Sequence, residues 1–124
     1  MRIIIAGSRE FNNYAVLKQN ITNILLILNP AGESDVEFVS GTARGADQLG
    51  ERFAKEYEYP VKRFPADWDK YGKSAGYRRN EQMALYAKED YGVLIAFWNG
   101  VSKGTKHMID IANRYGLKVF VIEI

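Results

Sequence analysis

VEFVSGTARGADQLGERFA, Val36 to Ala54, is the stretch on which the fold of this 124-residue chain turns. It opens as a strand, because Val36, Phe38 and Val39 are strand formers. Ser40, Gly41, Thr42 and Gly45 then allow tight backbone geometry. Asp47 falls in the first turn of the helix that follows, where its charge suits the positive end of the helix dipole. A glycine-rich turn from strand to helix offers unpaired backbone N–H groups above a sheet edge, and phosphate is their commonest guest. One reading is therefore a site for a nucleotide or nucleic-acid phosphate. The other is a tight turn whose glycines serve only packing.

The same alternation extends in both directions. Arg2 to Ala6 is a β-branched run that reads as a buried strand ending in Gly7-Ser8-Arg9. From Tyr14 to Leu28 apolar residues recur near helical spacing, at Leu17, Ile21, Ile24, Leu25 and Leu28. Pro30, Gly32 and Asp35 mark a loop. The second strand covers Glu37 to Ser40, and its helix runs from about Ala46 to Tyr57. A third strand, Val61 to Phe64, lies between Pro60 and Pro65. Ala66 to Gly76 is a polar and aromatic connection without clear periodicity, followed by a helix from about Tyr77 to Ala87. Tyr91 to Phe97 is a fourth strand, and a helix runs from about Gly104 to Tyr115 with Gly116 as its cap. Leu117 to Ile122 is the fifth strand. The pattern predicts one Rossmann-like α/β domain over residues 1–124. Its parallel sheet of about five strands has order 3-2-1-4-5, with helices on both faces. Ligands of such sheets bind beyond the carboxyl ends of the strands, where the order reverses. The loops Gly7 to Phe11, Ser40 to Asp47 and Trp98 to Lys106 share that edge.

Bulk properties narrow the classes. With 17 basic and 15 acidic residues the formal charge is +2, too small for a nucleic-acid signature, so any basic patch must come from local clustering. The chain has no cysteine, which excludes disulfides, thiolate metal sites and cysteine nucleophiles and suits a reducing cytoplasm. MRIIIAG is far too short for a signal peptide or a membrane span, so a soluble cytoplasmic protein without membrane contact is expected.

Three constellations carry chemistry. In Gly7-Ser8-Arg9, glycine lets a ligand approach the backbone, serine offers a hydroxyl and arginine can grip phosphate with a bidentate fork. The plainer outcome pairs Arg9 with Glu10 or Asp47. Ser102-Lys103-Gly104-Thr105-Lys106 follows Trp98-Asn99-Gly100 and supplies backbone donors, hydroxyls and charge at a helix start, unless Ser102 or Thr105 is only a cap. Ala75-Gly76-Tyr77-Arg78-Arg79-Asn80, followed by Met83, places adjacent arginines at a helix N-terminus, where they oppose the dipole and point to an external anion or an acidic partner, unless the pair is only solvated. Trp68 and Tyr71 can stack on a base, but plugging the sheet end or a subunit contact is the plainer use. Likewise Trp98 either lines a pocket or finishes the core. His107 is the single histidine and cannot anchor a typical zinc site, so no metal is expected. No cofactor is expected either. GxGxxG and the lysine-bearing P-loop are both missing, which argues against a conventional dehydrogenase or ATPase.

Taken together, GSREF (Gly7 to Phe11), VSGTARGADQLGERFA (Val39 to Ala54), FPADWDKYGKSAGYRRNEQM (Phe64 to Met83) and AFWNGVSKGTKHMID (Ala96 to Asp110) resemble the SLOG superfamily. This superfamily unites the Smf/DprA DNA-processing proteins with the Lonely Guy phosphoribohydrolases, and the chain most resembles its small YspA-like branch. The resemblance implies a pocket for a nucleotide or nucleotide-derived ligand. Lonely Guy enzymes cleave the N-glycosidic bond of nucleoside monophosphates with an arginine and a glutamate. Their arginine resembles Arg79, with Asn80 and Met83 after it, and their PGGxGTxxE motif resembles the segment ending Gly104-Thr105. The glutamate position, however, falls on Met108, and Asp110 lies two residues later on a different face. The DNA-processing branch shares the glycine turn and the arginine–asparagine pair, and binds single-stranded DNA.

Three functions follow as expectations. The first is a sensor or ligand-binding module in which Gly7, Ser8, Arg9, Ser40, Gly41, Thr42, Gly45, Asp47, Arg79, Asn80, Trp98, Ser102, Lys103, Gly104 and Thr105 surround the ligand. The second is a hydrolase of a nucleotide N-glycosidic bond using Arg79 and a substitute acid, Asp47. The third is a single-stranded nucleic-acid binder using the same edge. Related domains often pair through helices, so a homo-oligomer is also an expectation.

Overall fold

The β-branched run Arg2–Gly7 becomes the central strand, β1, of the computed structural model, which describes residues 1–124. The chain continues as α1 (Tyr14–Leu28), β2 (Glu37–Ser40), α2 (Ala46–Glu56) and β3 (Val61–Arg63). It then forms a four-residue helix α3 (Trp68–Tyr71), a 3-10 turn (Gly72–Ser74), α4 (Ala75–Lys88), β4 (Gly92–Trp98), α5 (Lys103–Arg114) and β5 (Lys118–Glu123). All strand pairs are parallel and the sheet order is β3-β2-β1-β4-β5, as the alternation of elements predicts.

β1 is covered on both faces, which is why its sequence is continuously apolar rather than alternating. Ile3, Ile4 and Ile5 are at most 1% exposed, and each contributes roughly 1.5–3 kcal/mol by its burial. The pleat sends Ile3 and Ile5 toward Leu17 and Ile21 of α1 and Phe53 of α2. Ile4 and Ala6 face the other way, against Met83 and Ala84 of α4 and Met108 and Ala112 of α5. Ile5 stands beside Ser40 and Gly7 beside Phe97, so β1, β2 and β4 all end at one rim of the sheet. No helix is long and apolar enough to cross a membrane.

The main departure from the sequence reading lies between β3 and α4. Asp67 caps α3 by accepting from the Lys70 N–H at 3.1 Å, and the 3-10 turn then leads into α4 two residues before Tyr77. A four-residue helix is too short to show apolar periodicity. Consequently Arg78 and Arg79 fall in the second turn of α4 and not at its N-terminus, and the opposed-dipole reading of that pair is corrected. Arg78 instead donates to Ser74 Oγ at 3.0 Å and lies over the Tyr71 ring at 4.5 Å.

Candidate functional site

A cavity of about 210 Å³ opens at the rim beside the ends of β1 and β4. Ala6 and Gly7 come to it from β1, and buried Met83 and Met108 from the two helices beneath that face. Ala43 and Asp47 contribute from the turn after β2, Arg79 and Asn80 from α4, and Ser102, Gly104 and Thr105 from the start of α5. Trp68, Lys73, Gly76 and Tyr77 complete the lining. It gathers cations around a single carboxylate.

That carboxylate, Asp47, is 5% exposed. Burial pushes its pKa up to about 7, against the pull of the Arg79 charge and of the Ala43 N–H, which donates to Oδ2 at 3.2 Å. Arg79 is half-buried; burial lowers its pKa, and the Asp47 charge opposes the change. Its Nη1 donates to the Gly41 carbonyl and its Nε to Asn80 Oδ1 at 3.1 Å, which leaves Nη2 without an acceptor in the protein. Gly41 explains how the two approach each other. A β-carbon there would lie 2.7 Å from Arg79 Nη1 and 2.8 Å from Asp47 Oδ2, so this glycine makes room for both side chains.

At the start of α5 the backbone stays open. Asn99 Oδ1 accepts from the N–H groups of Val101 and Ser102, both at 2.9 Å, and Ser102 Oγ accepts from the Thr105 N–H at 3.4 Å. The N–H groups of Lys103 and Gly104 have no acceptor within the protein. A β-carbon at Gly104 would meet nothing within 4 Å. Asn80 Nδ2 ties the turn to α4, reaching the Gly104 carbonyl at 3.3 Å and His107 Nδ1 at 3.2 Å. A half-exposed cavity holding the free Nη2 of an arginine and free main-chain donors suits an anionic guest.

A family model described as the YspA, cpYpsA-related SLOG family matches residues 1–71. The Gene 61 protein of Mycobacterium phage D29 is 31% identical over 123 residues, an alignment covering 95% of this chain and 93% of that protein. The chain belongs to the YspA, cpYpsA-related SLOG family. The matched residues include Gly7 and the turn from Ser40 to Asp47, while Arg79 and the α5 turn of this SLOG domain lie beyond them.

The residues singled out from the sequence divide accordingly. Gly7, Asp47, Arg79, Asn80, Ser102, Gly104 and Thr105 meet at the cavity of the SLOG domain. Ser40 turns away from it: its hydroxyl donates to Glu51 at 2.6 Å, and Glu51 holds Arg63 at 2.8 Å. Thr42 adopts a left-handed φ of 66°, strained for a β-branched residue, with its N–H on Ser40 Oγ at 3.0 Å. Gly45 serves packing, because a β-carbon would collide with the Ser8 carbonyl and lie 2.7 Å from the Arg9 backbone. Ser8 is buried beside the cavity, between the Glu10 N–H and Asn99. Arg9 is exposed and pairs with neither expected partner, since Glu10 takes Arg44 at 3.2 Å. Trp98 spends its indole N–H on the Ser102 carbonyl at 3.0 Å, and Lys103 is exposed outside the lining. Lys73 falls inside the stretch without periodicity and Tyr77 borders it, and the sequence reading assigns neither a role at the site.

Proposed function

We propose that the cavity binds a nucleotide or nucleotide-derived ligand and that the protein is a cytoplasmic sensor or ligand-binding module. The ligand's anionic group sits between Arg79 and the first residues of α5. One observation carries this reading: Gly104 and Arg79 line the same cavity, and the N–H groups of Lys103 and Gly104 and Arg79 Nη2 all lack an acceptor. Membership of the SLOG family supports the nucleotide class. Calorimetric titration with nucleoside monophosphates and diphosphates tests it. Arg79→Ala is expected to weaken binding roughly 10- to 100-fold, the effect of losing hydrogen bonds to a charged group. Unchanged affinity in that variant would remove Arg79 from the site.

A second reading, hydrolysis of a nucleotide N-glycosidic bond, is favoured by Asp47, a buried carboxyl on the cavity whose pKa of about 7 suits proton transfer at neutral pH. Asp47 would hold the proton and Arg79 the phosphate. Asp110 is no substitute for the glutamate, because it is exposed and paired with Lys106 at 2.9 Å. Free base released from nucleoside monophosphates supports this second reading. Binding without release leaves the module. Tight single-strand binding with a steep salt slope would replace both with the nucleic-acid reading.

A further inference from the structure

The cavity is small for a ligand of nucleotide size. Its volume of about 210 Å³ falls below the roughly 300–1,000 Å³ of pockets that enclose a ligand of that size. A nucleotide whose phosphate lies at Arg79 would therefore extend toward the mouth. Two large aromatic side chains stand at the mouth: Trp68 is 51% exposed and Tyr77 48% exposed, yet both line the cavity. Neither belongs to the apolar clusters on the two faces of the sheet, so core packing does not account for them.

Both rings have defined neighbours. The outer edge of the Trp68 indole lies 3.4–4.0 Å from the place a β-carbon of Gly76 would take, so the missing side chain lets the indole lie against the start of α4. Tyr77 stacks on His107 with ring centroids 4.1 Å apart and planes 24° from parallel. His107 is itself held by Asn80, and burial lowers its pKa. With one face of Tyr77 on the imidazole, its exposure falls on the opposite face and edge. Tyr71 lies outside the lining and is already engaged with Arg78.

The geometry points to a base-stacking mouth, in which Trp68 and Tyr77 hold the aromatic base of the ligand while its phosphate occupies the interior. This rests on the anion site proposed above. Stacking uses the π-face that every base has and does not read hydrogen-bonding edges, so the mouth selects nucleotides over sugar phosphates without choosing among bases.

Titration of the full chain with AMP and with ribose 5-phosphate tests the mouth separately from the interior. AMP is expected to bind roughly 5- to 100-fold more tightly, the range that one stacked base supplies. Trp68→Ala should bring AMP down toward ribose 5-phosphate and leave the latter within twofold, and Trp68→Phe should keep most of the difference. Equal affinities in the wild type, or a ratio unmoved in both Trp68→Ala and Tyr77→Ala, would overturn the mouth and leave the anion site standing. Binding of neither compound would refute the anion site and the mouth with it.

Discussion

The two glycine-bearing turns that flank the cavity look alike in sequence and behave differently. In the turn from Ser40 to Asp47 the protein consumes three of its own donors, Thr42 giving its N–H to Ser40 Oγ, Ala43 to Asp47 and Ala46 to the Ser8 carbonyl, while those of Arg44 and Gly45 have no acceptor. Its glycines create space for other parts of the chain. In the turn from Asn99 to Thr105 the side chains of Asn99 and Ser102 satisfy the flanking amides, and those of Lys103 and Gly104 stay free. The turns therefore differ in what their glycines face, the rest of the chain at Gly41 and Gly45 and open space at Gly104. The first packs its glycines against the chain and places Asp47 at the cavity; the second leaves Gly104 uncrowded in the lining.

The contrast breaks most visibly at Gly45. Its φ of 84° with ψ of −130° is a conformation that L side chains rarely adopt, and a β-carbon would also overlap the backbone of Ser8 and Arg9. Backbone cannot move aside as a side-chain tip can. Gly45→Ala should cost roughly 3 kcal/mol or more, a fall of about 10 °C or more in Tm, measurable by thermal denaturation. A melting curve like the wild type's would show that this turn has slack and that its glycines do not serve packing.

Asp47 sharpens the comparison, since it belongs to the consumed turn yet faces the cavity. Its folded pKa of about 7 lies above the ordinary 3.8, so between those values the native state binds more protons than the unfolded chain. Stability from this group is therefore greatest at low pH and declines as pH rises from about 4 to about 7. Asp47→Asn removes the titration but keeps an oxygen for the Ala43 N–H. Its Tm should exceed the wild type's by roughly 10 °C at pH 8, with the gap closing toward pH 4. A constant gap across that range would mean that Asp47 is ionised throughout and is not a proton donor to any ligand.

How much of this was legible depended on the range of the interactions. Sheet order followed from local patterns, the isoleucine run of β1 and the strict alternation of strands with helices, because those encode burial on two faces. The residues around the cavity followed in part: Gly7, Arg79 and Gly104 stand in recognisable turns or motifs. What a glycine is for was not legible. Gly45 is required by Ser8 and Arg9 and Gly41 by Arg79, partners brought near only by the fold. The segment before α4 hid its short helix for lack of periodicity, which moved the start of α4 and disguised Arg78 as a dipole misfit.

The smallest effect on the scaffold is expected in the open turn. Gly104 is the second residue of α5, Ser102 caps that helix, and a β-carbon at 104 would touch nothing within 4 Å. Alanine is the better helix former, so Gly104→Ala should leave Tm within roughly 2 °C of the wild type or raise it. The added methyl group would nonetheless stand on the cavity lining beside the free amides and screen them from an anion. Affinity for a nucleoside monophosphate should fall several-fold while the fold is untouched, the reverse of the outcome at Gly45. Calorimetry and thermal denaturation on the same sample decide it. If stability drops and binding stays, the roles assigned to the two turns are exchanged, and the donors that matter belong to the turn after β2.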